Sequence, residues 1–369
     1  MRTDLIVVGA GIVGLAHAVE AVARGLSVTV VERDERPVGA SVRNFGHGCV
    51  TAQTGEALRF AERARETWAR MGKEAGFGVA ECGTVVVARA EEELAALAEL
   101  ADERGPDDVV LLAPAEVTRR VPVAADGLRG GAFLPRDVRV EQRAAAPAIA
   151  AWLAGQPGAR VLWSTPVLGV GPGVVRTGRG ELAADRVVLC VGHDVDRLLP
   201  EVADRAGLRR CALRMLQVSV PGLRLDPALL TGSSMLRYPA LARTEGALAL
   251  RRRWATDRPD LLDAMVNHMM TQLPGGDLVV GDTHAYARTP DPWDEEPLDD
   301  LLLAETRALL GVEPRVVRRW RGVYASIDGV EFLREPLAAR VVAVSVTSGI
   351  GMTTAFGLAP DVLDDLEVP

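Results

Sequence analysis

Lysine is almost missing from this chain: Lys73 is the only one, so nearly all positive charge is arginine, a bias that codon usage explains more simply than function. Cysteine is scarce and scattered. Cys49, Cys82, Cys190 and Cys211 form no CxxC and no metal-ligand spacing, so neither a disulfide framework nor a metal site is expected, and the thiols are read as reduced. Aromatic residues are few, at 4%. No apolar run approaches the ~20 residues a membrane helix needs. There are no internal repeats and no low-complexity linker. A net charge of −8 argues against nucleic acid or an anionic membrane as the main partner. The amino terminus enters a strand at once, leaving no room for a signal peptide, so a cytoplasmic location is expected.

What is present is a balance ordinary for a soluble globular protein, 48% apolar and 25% charged over 369 residues. That length exceeds one typical core, so two domains or one elaborated α/β domain are expected. The stretch Asp4–Gly14 reads DLIVVGAGIVG: an apolar strand, a glycine turn, and the start of an apolar helix reaching about Arg24. Gly9 permits the tight turn, Gly11 lets backbone approach a pyrophosphate, and Gly14 lets the helix pack closely on the strand. The helix start offers unpaired N–H groups and a positive dipole end to phosphates. A second apolar run, Ser27–Val31, ends in Glu32, where a carboxylate would accept hydrogen bonds from ribose hydroxyls.

Further along, the polar, glycine-rich stretch 33–54 reads as loop, followed by a helix from Gly55 to about Glu74 with Leu58, Ala61, Ala64, Arg65 and Trp68 at helical spacing. Cys82–Ala88 reads as a strand, Glu91–Glu103 as a helix, Pro114–Val121 as a short helix, Gly131–Val140 as extended and Glu141–Leu153 as a helix. Strands are expected at Val161–Val170, in a hairpin near Pro172, and at Arg186–Val191. Between Cys211 and Leu250 the strings ALRMLQVSV, SMLRYPAL and ALALRRRW read as strands, with Arg251–Arg253 a solvated strand edge. A methionine-rich helix is expected from Leu261 to Leu273, placing His268 and Gln272 on one face amid ordinary packing. LVVGDTHAYA then reads as a strand, PDPWDEEPLDD as an acidic loop, Leu301–Leu310 as helix and Val316–Ala325 as extended. Near the end, the strand Val341–Val346, the turn TSGIGMT and the helix Thr353–Leu363 repeat the logic of the opening: a strand delivers small residues to a helix start, which stabilises negative charge placed against it. The pattern is α/β, a nucleotide domain assembled from distant segments and interrupted by a mainly antiparallel β domain.

With VVGAGIVG, VVER, VLCVG and SGIGMT in view, the chain resembles the FAD-dependent amine oxidoreductases of the D-amino-acid oxidase, glycine oxidase and sarcosine oxidase group over nearly its whole length. SVRNFG, LRYPA, GDTHAYA and RWRGVYAS are similar to a subfamily associated with aminophosphonate breakdown. The resemblance implies a glycine-oxidase-like fold, with a Rossmann-type FAD-binding domain (1–80, 141–210, 318–369) and an interleaved substrate domain (81–140, 211–317). It implies FAD with its pyrophosphate on Val8, Gly9, Gly11, Ile12, Val13 and Gly14, its ribose on Glu32, and Arg33 near the adenine. Ser41, Val42, Arg43, Asn44 and Gly46 would run beside the pyrophosphate and ring system. Val167 would touch the adenine edge, Cys190, Val191 and Gly192 would pass the phosphate and ribitol, and Gly322 with Gly349, Ile350, Gly351, Met352 and Thr353 would border the flavin. No cysteine or histidine stands out for covalent attachment, so noncovalent FAD is expected.

The same resemblance puts the substrate under a sheet carrying Arg237, Tyr238, His284 and Tyr286. Related amino-acid oxidases hold the substrate carboxylate with an arginine soon after the glycine matching Gly322; here Val323 and Tyr324 follow, which argues against plain amino acids. Gly46-His47 also departs from relatives with an apolar residue there. Arg43 and Arg237 are the candidate anion anchors, because a phosphonate suits an arginine fork; Arg43 stands equally as a FAD contact. His47 is a candidate acceptor of the amine proton, or a histidine simply hydrogen-bonded in its loop. His284 and Tyr286 alternate on a strand and, with Asp282, form a polar face; Tyr324 is a candidate to bind an anion or cap the ring. The expected activity is hydride transfer from a small primary or N-methylated amine to flavin N5, imine hydrolysis, and reoxidation by O₂. The rival readings are an oxidase of glycine or sarcosine and a flavoprotein serving another electron acceptor, with a homodimer as the candidate assembly.

Overall fold

The computed structural model describes residues 2–367. The opening strand, Arg2–Val8, is apolar on both faces, and such a strand is stable only inside a parallel sheet covered on both sides. It pairs in parallel with Val28–Val31 on one side and Gly180–Leu189 on the other. Ala159–Leu162 extends the sheet beyond Val28–Val31, and the closing strand Val341–Val346 lies parallel beside Gly180–Leu189. The hairpin foreseen near Pro172, Val167–Gly171 with Val174–Thr177, and the strand Phe332–Ala338 complete this 8-stranded sheet.

Four helices bury a common core on one face: Ile12–Ala23, Gly55–Ala75, Gln142–Ala154 and Gly351–Asp365. On Gly55–Ala75 the buried stripe is Ala57, Phe60, Ala61, Ala64, Trp68 and Met71, so Leu58 and Arg65 flank the face rather than lie in it. Trp68 sits edge-on to Phe77 and Phe356, and its Nε1 donates to Met352 O at 2.8 Å. The closing helix comes close enough that a methyl group on Gly357 would lie 2.0 Å from Phe60 O.

A second 8-stranded sheet runs in the order Arg315–Ser326, Arg209–Ser219, Leu278–Ala287, Met269–Gln272, Ala228–Leu230, Thr84–Ala88, Gly130–Leu134, Val110–Leu112. Its neighbours are antiparallel except Ala228–Leu230 with Thr84–Ala88. The architecture is the α/β arrangement with an interleaved, mainly antiparallel domain. The boundaries expected at 210/211 and 317/318 fall inside strands of this sheet, Arg209–Ser219 and Arg315–Ser326.

Three local expectations are corrected. SMLRYPAL and ALALRRRW are not strands but the helices Gly232–Met235, Pro239–Ala242 and Glu245–Asp257. Pro239 occupies a first-turn position, Thr244 Oγ1 caps the next helix by accepting from Ala247 N at 3.1 Å, and Ala247, Leu250 and Trp254 follow helical spacing. Arg251–Arg253 are exposed as expected, but on a helix. The methionine-rich helix does not form: Pro259–Asp263 ends, Met265 adopts φ 45°, and the adjacent Met269 and Met270 begin a buried strand, Met269–Gln272, that pairs with Leu278–Ala287. His268 and Gln272 therefore share no helical face. His268 packs in the interior with Nε2 3.0 Å from Thr306 Oγ1, and burial pushes it down to about 4. Among the described residues no helix is long and apolar enough to cross a membrane.

The close approach at Gly357 is rigid because it opposes backbone. Gly357→Ala is expected to destabilise the protein by about 1–3 kcal/mol, measured by urea unfolding; an unchanged midpoint would show that the helix pair slides freely.

Candidate active site

Gly9 adopts φ +104°, and a Cβ there would lie 2.4 Å from Cys190 O, so both conformation and close approach demand glycine. A Cβ on Gly14 would fall 2.0 Å from Gly9 O, which is the close packing of helix on turn read from the sequence. Gly11 caps Ile12–Ala23 without a side-chain hydrogen bond, and the first turn carries no acid, so its positive end is left for a ligand. Ser41 Oγ accepts from Ile12 N at 2.8 Å and pins the following loop beside the turn. Glu32 accepts from Ala10 N through Oε2 at 2.8 Å and from Asp34 N through Oε1 at 3.0 Å.

The two glycine turns meet. A Cβ on Gly351 would lie 3.9 Å from Cγ2 of both Ile12 and Val13, and one on Gly349 (φ +79°) 3.0 Å from the Tyr324 ring. Both turns line one cavity of ≈ 1320 Å³, more room than the ~300–1,000 Å³ of an ordinary small-molecule pocket. Its wall includes Val8, Gly9, Gly11, Ile12 and Val13; Glu32 and Arg33; Ser41, Arg43 and Asn44; Val167; Cys190, Val191 and Gly192; Gly322; and Gly349 through Thr353. Three expected positions lie outside it. Gly14 serves helix packing, Val42 packs against the helical core, and Gly46 (φ +71°) faces Val140 O, where a Cβ would come within 2.0 Å. A side-chain-free cradle at a helix start, with an acid at ribose distance in sequence, fits FAD.

Beyond Gly192 the wall includes a cluster that the sequence reading missed. Asp194 Oδ2 meets Arg33 Nη1 at 2.6 Å, and its Oδ1 meets Arg197 Nε at 3.1 Å and Arg210 Nη2 at 3.3 Å. Burial would raise the Asp194 carboxyl, but His193 and these arginines hold it below its usual range. The signal was the string GHDVDR directly after a strand end.

The substrate sheet supplies the rest of the wall. Arg237 Nη2 donates to Tyr286 Oη at 2.9 Å, which leaves the Tyr286 hydroxyl hydrogen to donate onward. Among the described residues no carboxylate lies within ion-pair distance of Arg237. Burial would lower its pKa, but Tyr286, Tyr324 and Asp282 around it hold it above the ordinary value. Burial first pushes the phenols of Tyr286, Tyr238 and Tyr324 up, so they stay neutral donors. Tyr238 Oη points to Met269 Sδ at 3.6 Å, and His284 and Tyr286 stack with centroids 6.3 Å apart. Arg43 is exposed on the same cavity, with Nη1 donating to Arg321 O at 3.3 Å. His47 also borders the cavity, but its Nε2 is engaged by Thr84 Oγ1 at 2.7 Å and Asp137 Oδ2 at 3.3 Å, the arrangement of a hydrogen-bonded histidine. Asn267 and Asp282 complete the wall. Asn267 went unnoticed because its segment reads as helix.

A dinucleotide cradle joined to a sheet-walled chamber defines a flavin-dependent redox enzyme. The family profile of FAD dependent oxidoreductases, DAO, matches residues 4–363, and the chain belongs to that family, with FAD as its cofactor. Comparison with curated proteins gives no match. Among solved structures the chain is similar to glycine oxidase from Geobacillus kaustophilus (TM-score 0.77, 20% identity, covering 99% of this chain and 94% of that one). It is also similar to L-proline dehydrogenase from P. horikoshii (0.78, 19%, 98% and 92%). A third likeness is to L-alpha-glycerophosphate oxidase from Mycoplasma pneumoniae with FAD bound (0.77, 16%, 100% and 95%).

Glu32→Ala removes the carboxylate that accepts from Ala10 N in the opening turn. It should weaken FAD binding by about 10- to 100-fold, the loss of hydrogen bonds to a charged group; titration of the apoprotein with FAD, followed by flavin fluorescence, checks this, and unchanged affinity would exclude the ribose contact.

Proposed function

We propose that the protein oxidises a small primary or N-methylated amine that carries an anionic group, an aminoalkylphosphonate above all. Amine, O₂ and water would give aldehyde, ammonia or methylamine, and H₂O₂. The observation that carries this reading is Arg237: a cavity-lining guanidinium held by a neutral phenol, with no carboxylate paired to it among the described residues. Such a group has desolvation unfavourable to it and charge left for a ligand anion. Tyr286 and Tyr324 add neutral hydroxyl donors, which suit the three oxygens of a phosphonate. Arg43, at the exposed part of the same cavity, is a second cation for an anionic substrate or for FAD.

FAD, when bound, supplies the two-electron acceptor for the C–H bond beside the amine. The chain's own work is to fix the anion at Arg237, hold the amine carbon against the closing turn through Tyr324, and exclude bulk water. The positive start of Gly351–Asp365 favours negative charge placed against it. The likeness to glycine oxidase supports a second reading, an oxidase of a small amino acid, in which the same guanidinium would take a carboxylate. Delivery of the electrons to an acceptor other than O₂ is the other alternative, and the comparison with a proline dehydrogenase keeps it in view.

An aerobic peroxide assay across paired aminophosphonates and amino acids separates the two substrate readings, and anaerobic bleaching separates oxidase from dehydrogenase. Arg237→Ala is expected to raise KM by about 10²-fold for the preferred substrate while leaving the flavin spectrum unaltered, the loss seen on truncating one partner of a buried charge pair. An unchanged KM would remove Arg237 from the site.

A further inference from the structure

Donors on the substrate wall are accounted for by Arg237 and the phenols; the acceptors are not. Leu278–Ala287 turns Asp282, His284 and Tyr286 to one face, and all three line the cavity. His284 Nδ1 lies 2.9 Å from Met265 O. A carbonyl only accepts, so Nδ1 carries the hydrogen and Nε2 of the neutral ring is a bare acceptor. Burial, then Arg237, holds that ring well below its ordinary pKa, so it stays neutral.

Nε2 faces Asp282 Oδ2 at 3.8 Å, too long for a hydrogen bond, and when Asp282 is ionised neither atom carries a hydrogen. Asp282 Oδ1 is buried without a partner. So is Oδ1 of Asn267, whose backbone pairs with that of Asp282 through two bonds of 2.8 Å. Asp282 and Asn267 are 3% and 8% exposed, so what reaches them comes only through the cavity that both line. A cluster of acceptors without protein donors at this burial favours N–H groups placed in that cavity. Two acceptors 3.8 Å apart are spanned by one nitrogen at about 2.9 Å from each.

We propose that Asp282 holds the protonated amine of the substrate and takes its proton, with His284 Nε2 and Asn267 Oδ1 as the further N–H acceptors. This rests on the amine-oxidation reading above and adds the second half of the substrate's recognition: anion on Arg237, ammonium on Asp282, along one wall. One N–H bond of the ammonium breaks, an O–H bond forms on the carboxylate, and the electron pair stays on nitrogen, where oxidation of the neighbouring C–H requires it. Burial pushes the Asp282 carboxyl up to about 7, against the pull of Arg237 and Asn267. The other titratable groups facing it, His284 on its own strand, Cys211 on Arg209–Ser219 and Tyr238 beside Arg237, are all held neutral by burial first. Arg237 is thus the charge acting on Asp282.

The sign follows. A carboxyl accepts a proton only when ionised, so anaerobic flavin reduction in the FAD-loaded protein should rise through about pH 7 and level off. It should do so alike for 2-aminoethylphosphonate and its N-methyl derivative. Profiles that instead track each amine's own pKa, near ~10, overturn the proposal. Asp282→Asn should slow reduction at neutral pH by about 10²-fold or more, and Asp282→Glu should restore part of the rate. Binding to the oxidised holoprotein, read from the flavin absorbance, gives a measure independent of turnover. Asp282→Asn should weaken 2-aminoethylphosphonate by at least about 10-fold yet leave amine-free ethylphosphonate within about twofold. Equal weakening of both ligands, or of neither, overturns the proposal. Should Asp282→Asn fail to retain FAD, the wild-type profiles decide alone. A wild-type flavin that no amine bleaches contradicts the amine-oxidation reading, while wild-type preference for the amine over ethylphosphonate still supports the ammonium subsite and its absence overturns it.

Discussion

Everything at the site depends on the packing of the closing helix against the opening one. Gly180–Leu189 is the strand that makes this possible, because it pairs with Arg2–Val8 on one side and Val341–Val346 on the other. Parallel neighbours send their helices off at the same sheet edge, so residues more than three hundred positions apart present two helix starts to one space. Trp68 locks the arrangement from behind by donating to Met352 O, which also fixes where the closing helix begins. Without that register the cradle at Gly9–Gly14 would face solvent and the chamber would have no floor.

The second sheet is held to this platform through Arg315–Ser326. The strand pairs with Arg209–Ser219 along its length, while Trp320 Nε1 donates to Arg43 O and the Tyr324 ring rests against Gly349. Tyr324 thereby packs on the closing turn, on the same cavity wall where Tyr286 accepts from the Arg237 guanidinium. Cofactor cradle and substrate wall are coupled by backbone and ring contacts rather than by a flexible linker, so the distance between them is set by the fold.

Much of the cofactor half was legible in the sequence, because its signals are local: an apolar strand, glycines that backbone contacts require, an acid at fixed spacing. Gly14 was assigned the right physical task even though it lies behind the wall. The substrate half was read less well. Ala247, Leu250 and Trp254 form a helical stripe that the apolar and arginine runs around them disguised, and Met269 and Met270 suit a buried strand as well as a helix. Asn267 escaped notice for that reason. His47 shows the other limit: no local pattern reveals that Asp137, ninety positions away, engages its ring.

The junction between the opening and closing helices has a bearing on biosynthesis. Translation delivers the first glycine turn long before the second, so a chain still on the ribosome has half a cradle and no partner yet for Val187, Val188 and Leu189 on that side of Gly180–Leu189. The cradle is complete only once Gly351–Asp365 has emerged, and until then the exposed strand edge is open to wrong partners.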